Sequence, residues 1–196
     1  MKKLLFIVPI ALIVLTSYNY LKPVTKINIQ PLGAVSPVSI NQIKKSVKSF
    51  YGFDCVVLPS KSISKDIISK IKKRIDADRA LSKYNSDKNL LLVTEKDICH
   101  FVDKNSPEYG IFGLGGIKKN NNTCIVSTFR LKKRGASQQK ILERLEKVAL
   151  HEIGHNLGLN HCTNNKECMM SAAKGTIKQV DKERVWFCEK CREQLN

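Results

Sequence analysis

The period of apolar and polar positions changes along the chain, and the changes mark out its elements. KINIQPLG (26–33) alternates the two kinds of side chain, which predicts a strand. In VSINQIKKSVKSFYG the residues Ile40, Ile43, Val47 and Phe50 fall at helical spacing, and Gly52 supplies a stop. FDCVVLP, bounded by Gly52 and Pro59, is a compact apolar run and reads as a buried strand. A helix is expected within residues 63–84, with many of the basic side chains on its wet face. NLLLVTEKDIC (89–99) begins as another buried strand. YGIFGLGGI reads as a glycine-rich edge strand, KKNNN (118–122) as a hairpin tip, and TCIVSTFRL as the last strong strand. SQQKILERLEKVALHEIGHNLGL then predicts one long helix. Ser137 is its N-cap, and Ile141, Leu142, Leu145, Val148 and Ala149 form its apolar stripe.

Strands alternating with helices predict an α/β layered domain. Past His161 the texture becomes short, polar and rich in cysteine, which predicts a small C-terminal subdomain without a conventional core. The expected organisation is therefore an N-terminal leader over 1–21, a main subdomain over 22–161 and a C-terminal subdomain over 162–196.

The leader has the layout of an export signal: Lys2 and Lys3 precede an unbroken apolar run from Leu4 to Leu15. Twelve helical residues span about 18 Å, short of a hydrocarbon core of about 30 Å. Extension through Tyr18, Tyr20 and Leu21 makes a marginal membrane anchor that includes Thr16, Ser17 and Asn19. The expectation is export or membrane anchoring, with the rest of the chain facing outward.

Composition changes this picture in one respect. Of the 196 residues, 34 are Lys or Arg and 17 are Asp or Glu, a net charge of +17. Such an excess suits nucleic acid, an anionic membrane or a polyanionic polymer. The lysines are spread along the chain rather than gathered in one patch, so surface decoration is the simpler reading, and no nucleic-acid partner is expected.

The chemistry is concentrated in HEIGHNLGLNHC (151–162), which holds three of the four histidines; the fourth, His100, lies far away in sequence. Positions i and i+4 share a helix face, so His151 and His155 can present two imidazoles to one ion. Gly158 can adopt a left-handed conformation, end the helix and swing His161 to the same metal. Three protein ligands leave a fourth position for water, the arrangement of a catalytic zinc, and such water loses its proton near neutral pH. Glu152 can reach that water without binding the metal and would act as general base. The expected reaction is hydrolysis of a peptide bond by Glu-assisted attack of zinc-bound water.

The spacing H-E-x-x-H-x-x-G-x-x-H resembles the metzincin clan of zinc peptidases, which place a methionine turn beneath the metal. Met169 and Met170 follow His161 by eight and nine residues, and Met170 is the better match. The cysteines narrow the resemblance to the archaemetzincin family: HExxHxxGxxHC, then a C-x-M at Cys168–Met170, then a C-x-x-C at Cys188 and Cys191 after a spacer of seventeen. The loop between Cys162 and Cys168 holds five residues where the family has four. The resemblance implies a metzincin-like mixed twisted sheet with a long active-site helix. It also implies a second, structural zinc on Cys162, Cys168, Cys188 and Cys191, hence two zinc ions per chain, and a peptide or protein substrate. It departs at the leader, because the family pattern is of a soluble, cytosolic type.

Two pairs of cysteines nineteen residues apart suit a closed four-sulfur site, and metal binding could supply folding energy to so short a segment. In an oxidising exterior the same four could form disulfides, although an odd total of seven argues against complete pairing. Cys55, Cys99 and Cys124 lie in or near strands and read as buried thiols. Two rival functions stand beside the peptidase: a basic four-cysteine zinc module that binds nucleic acid, and a metal-binding pseudoenzyme.

Overall fold

The central strands form because they are apolar on both faces. A computed structural model of the chain describes residues 26–86, 88–101, 107–116 and 122–195. The leader (1–21) and residues 118–121 of the expected hairpin tip lie outside the described residues. A mixed five-stranded sheet runs in the order β2 (Asp54–Val57), β1 (Lys26–Leu32), β4 (Leu90–Thr94), β8 (Thr123–Ser127), β7 (Gly113–Leu114). The first four are parallel, and β7 is antiparallel to β8. On β4, Leu91 and Val93 enter one core while Leu90 and Leu92 enter the other; Cys124 and Val126 of β8 face the first, Ile125 the second. Parallel strands covered on both sides read as continuous apolar runs for this reason.

The first face is covered by α1 (Pro37–Tyr51) and α3 (Gln138–Asn156). Gly52 ends α1 in the left-handed conformation (φ 73°) with its N–H on the Lys48 carbonyl, as its position in the sequence predicts. Ser137 caps α3 by accepting from the Lys140 amide. Tyr51 of α1 donates to the Leu150 carbonyl of α3 at 2.8 Å and ties the two together. The second face carries α2 (Ala77–Lys83) and a small sheet of β3 (Ile75–Asp76), β5 (Ile98–His100) and β6 (Tyr109–Ile111).

Four local expectations are revised. The run FDCVVLP yields β2, an edge strand rather than a buried one: Val56 and Val57 are 43% and 42% exposed, and Cys55 is half-buried. Within 63–84 the helix is only α2. Upstream lie a short 3-10 turn (Lys65–Ile67) and a loop in which Lys73 has φ 55°. YGIFGLGGI divides between two sheets, β6 in the small one and β7 on the edge of the large one. TCIVSTFRL is strand only through Ser127, and Phe129–Lys132 is a 3-10 turn.

The C-terminal segment holds α4 (Ile177–Lys182) and α5 (Glu189–Glu193). Its apolar side chains, among them Met169, Met170, Ile177, Val180 and Phe187, are continuous with the core beneath α3. Buried Arg144 of α3 grips Asp181 of α4 with Nε and Nη2 at 2.7 and 2.8 Å, and gives Nη1 to the Leu131 and Lys133 carbonyls.

Candidate active site

Helix α3 carries His151, Glu152 and His155 on its last turns, and its ending places the third histidine. Leu157 is the C-cap and Gly158 follows with φ 95°. The Gly158 amide donates to the His155 carbonyl at 3.0 Å and the Leu159 amide to the Gly154 carbonyl at 3.0 Å. These two bonds make a Schellman turn, which needs the left-handed residue that glycine adopts without a Cβ penalty. Leu159 buries itself behind the turn, and the chain reverses to deliver His161.

The three imidazoles meet at their Nε2 atoms. His155 Nε2 lies 3.1 Å from that of His151 and 3.3 Å from that of His161. His151 Nδ1 donates to the Met169 carbonyl at 2.6 Å and His155 Nδ1 to the Leu159 carbonyl at 2.7 Å. A carbonyl can only accept, so both rings carry their proton on Nδ1 and turn an Nε2 lone pair inward. Burial above all, with the His155 ring adding to it, holds His151 down to about 3; burial likewise holds His155 down to about 4 and lowers His161. Neutral imidazoles with converging lone pairs are metal ligands in waiting. A tetrahedral zinc at about 2.0–2.1 Å from each nitrogen would set the nitrogens about 3.3–3.4 Å apart, so the residues fit the ion.

Glu152 is buried beside the triad, and burial, with a smaller contribution from Glu183, lifts its carboxyl to about 8. Two glycines of the edge strand region make room for this arrangement. A Cβ on Gly113 would lie 2.6 Å from Glu152 Cγ and Oε1, and one on Gly115 would lie 2.4 Å from His155 Cβ. Beneath the helix, Met170 is fully buried with its sulfur against Gly154, where a Cβ would come within 2.6 Å. Met169 contributes its carbonyl to His151, so both methionines touch the histidine-bearing turn.

The cysteine cluster sits close by. Cys162 follows His161 directly, and its amide donates to the Met170 carbonyl at 2.7 Å. Cys162 and Cys188 Sγ are 3.6 Å apart, Cys168 and Cys191 Sγ 3.8 Å, and all four lie within 4.8 Å of one another. Sulfurs about 2.3 Å from a tetrahedral zinc would be about 3.8 Å apart, whereas a disulfide requires about 2.05 Å. The geometry fits a metal.

The histidines and Glu152 open onto a cleft of about 470 Å³ whose other walls come from β6, β7 and the segment after Met170. Three of its residues carry no signal in the sequence. Antiparallel pairing of β5 with β6 sets His100 opposite Tyr109, and both reach the cleft; His100 Nδ1 also bonds Asp78 Oδ2 at 2.6 Å. Glu183 lines the cleft because α4 docks on α3, which no local pattern reveals.

A mixed sheet whose long helix presents histidines and a buried glutamate to a cleft beside an edge strand defines a class, the zinc-dependent peptidases. Within that class the chain belongs to peptidase family M54, the archaemetzincins, whose family model matches residues 71–196. It is similar to the archaemetzincin of Archaeoglobus fulgidus, 31% identical over 170 residues that cover 87% of this chain and 98% of the relative. The crystal structure of archaemetzincin from that organism, complexed with malonate, matches with a TM-score of 0.75 at 29% identity, covering 87% of this chain and 99% of that one. A zinc-dependent peptidase from Methanocorpusculum labreanum matches at a TM-score of 0.70, covering 87% of this chain and 100% of the other. At 22% identity that likeness speaks to the fold alone. No helix among the described residues is long and apolar enough to cross a membrane.

Proposed function

We propose that the chain hydrolyses peptide bonds with one catalytic zinc on His151, His155 and His161 and one structural zinc on Cys162, Cys168, Cys188 and Cys191. The observation that carries this reading is the convergence of three Nε2 atoms, two of them with lone pairs turned inward by carbonyls at Nδ1, beside a buried carboxyl in an open cleft. When bound, the catalytic zinc supplies a Lewis acid that polarises the scissile carbonyl and lowers the pKa of water.

The chain's own residues do the rest. With the charge of a bound zinc nearby favouring its ionised form, Glu152 would take a proton from the attacking water at a carboxylate oxygen and pass it to the leaving nitrogen. The Met169 and Leu159 carbonyls hold His151 and His155 in one tautomer and one orientation. Met170 fills the space under the helix and keeps the turn from shifting. The substrate backbone pairs with the outer edge of β7 as an added strand, which lays an extended segment across the histidines. Residues 1–21 are proposed to direct the chain out of the cytoplasm, and cell fractionation in which the protein stays cytoplasmic would overturn that part.

The test measures zinc content and hydrolysis of a peptide pool for the wild type and Glu152→Ala. The expected result is two zinc ions per chain in both proteins and turnover in the wild type alone. Retained zinc with no hydrolysis by the wild type points instead to a pseudoenzyme. One zinc in each protein, with disulfides intact, rejects the structural site.

A further inference from the structure

A second buried carboxylate faces the cleft and has no role in the cage or in proton transfer. Glu183 follows α4 and is only 4% exposed, yet it lines the cleft together with Val148, Val180, Ala172 and Ala173. Among the described residues its side-chain partner is Gln179, whose Nε2 donates to Oε1 at 3.3 Å. No donor among the described residues reaches Oε2.

The buried cations of α3 that face α4 are engaged elsewhere. Lys147 Nζ has three protons, and it contacts the Val180 carbonyl at 3.2 Å, the Asp181 carbonyl at 3.4 Å and Glu143 Oε1 at 3.2 Å. Arg144 is committed to Asp181 and to two carbonyls. Lys174, at the cleft rim, is exposed and forms no ion pair with it. Burial lifts the Glu183 carboxyl to about 7, against the Gln179 hydrogen bond and the Lys147 charge. Burying a carboxylate without a cation is unfavourable, and here the unpaired oxygen sits at the wall of a substrate cleft.

We propose that Glu183 is a specificity-determining residue that receives a cationic group of the substrate, an ammonium or a guanidinium, close to the scissile bond. Val148, Val180 and the two alanines cover the methylene stem of a lysine or arginine, and the charged head meets Oε2. An N-terminal α-ammonium would offer the same charge to the same oxygen. The inference rests on the peptidase reading above.

The test compares kcat/KM of the zinc-loaded full chain on matched peptides. One series is N-acetylated and carries Lys, Arg, norleucine or Glu, walked through the positions flanking the scissile bond. The other has a free α-amine and no basic side chain. Wild type is expected to favour one cationic series over norleucine by about ten- to a hundredfold, the scale of a charge-assisted hydrogen bond. The favoured series tells side chain from α-amine. Glu183→Gln should bring the ratio to about one, while Glu183→Asp should keep a preference for the longer Arg over Lys. Equal rates on cationic and norleucine peptides in the wild type overturn the proposal whether or not any variant folds. If no peptide is cleaved, the peptidase reading falls, and anisotropy-detected binding of the same peptides to wild type and Glu183→Gln still decides the cation preference.

Discussion

Replacing Gly113 by alanine adds one methyl group where the edge strand presses against Glu152. The three atoms nearest to that Cβ all belong to Glu152: Cγ and Oε1 at 2.6 Å and the carboxyl carbon at 2.8 Å. Carbon atoms pack at about 3.5–4.0 Å, so the glutamate or the edge strand must retreat by about 1 Å. The histidines are not among the nearest neighbours, and His151 and His155 stay tied to the Met169 and Leu159 carbonyls. A displacement of about 1 Å costs on the order of a hundredfold in rate, about 2.7 kcal/mol of barrier. Gly113→Ala is therefore expected to lose about a hundredfold in kcat while keeping two zinc ions per chain. Initial rates on an internally quenched peptide, with metal analysis of the same samples, measure both quantities. Gly135→Ala serves as the reference: its φ of 60° should cost about 1 kcal/mol of stability, but beyond its chain neighbours the new methyl meets nothing within 4 Å and the rate should not change. Wild-type turnover by Gly113→Ala would show that Glu152 tolerates the methyl group, and loss of the catalytic zinc would show that the histidines move with it.

Three further substitutions probe other parts of the account. Cys188→Ser should lower the zinc content from two to one and expose the segment after His161 to limited proteolysis, because metal binding there is folding energy. Met170→Ala should cost about 2–5 kcal/mol in urea unfolding and Met170→Leu less than about 1.5 kcal/mol, as a fully buried side chain is deleted or merely reshaped. Glu183→Gln tests the buried carboxyl by pH. Its pKa rises from 4.5 to about 7 on folding, so the folded state holds the proton more tightly than the unfolded chain. Below about pH 4.5 both forms are protonated and the group costs nothing. As pH rises through 7 the penalty grows to about 3 kcal/mol. The variant should thus gain about 2–3 kcal/mol on the wild type between pH 4 and 8, with the histidines common to both cancelling. A difference that does not vary with pH contradicts the assignment.

What the chain reveals unaided depends on how local each cause is. The triad and Glu152 fall within eleven residues on one helix and its turn, so spacing alone predicts their meeting, and Gly158 announces the reversal. Strands β4 and β8 are legible because burial on both faces leaves an unmixed apolar run. The segment before α2 misleads because Ile63, Ile67, Ile71 and Ile75 keep helical spacing; in the fold Ile67 and Ile75 are buried while Ile71 is 66% exposed. β2 misleads because an apolar strand at a sheet edge has the same composition as a central one. The glycines of YGIFGLGG suggest an edge, but the close approach of Gly113 to Glu152 and of Gly115 to His155 depends on where α3 lies. Glu183 is invisible in the sequence because the grip of Arg144 on Asp181 brings it to the cleft.

An anomalous difference map across the zinc absorption edge, from crystals of the zinc-replete chain, would locate both ions. Two peaks are expected: one bonded to the Nε2 atoms of His151, His155 and His161 with a solvent oxygen completing the shell, and one enclosed by four cysteine sulfurs. No peak at the histidines, or imidazoles turned away from one another, would contradict that expectation.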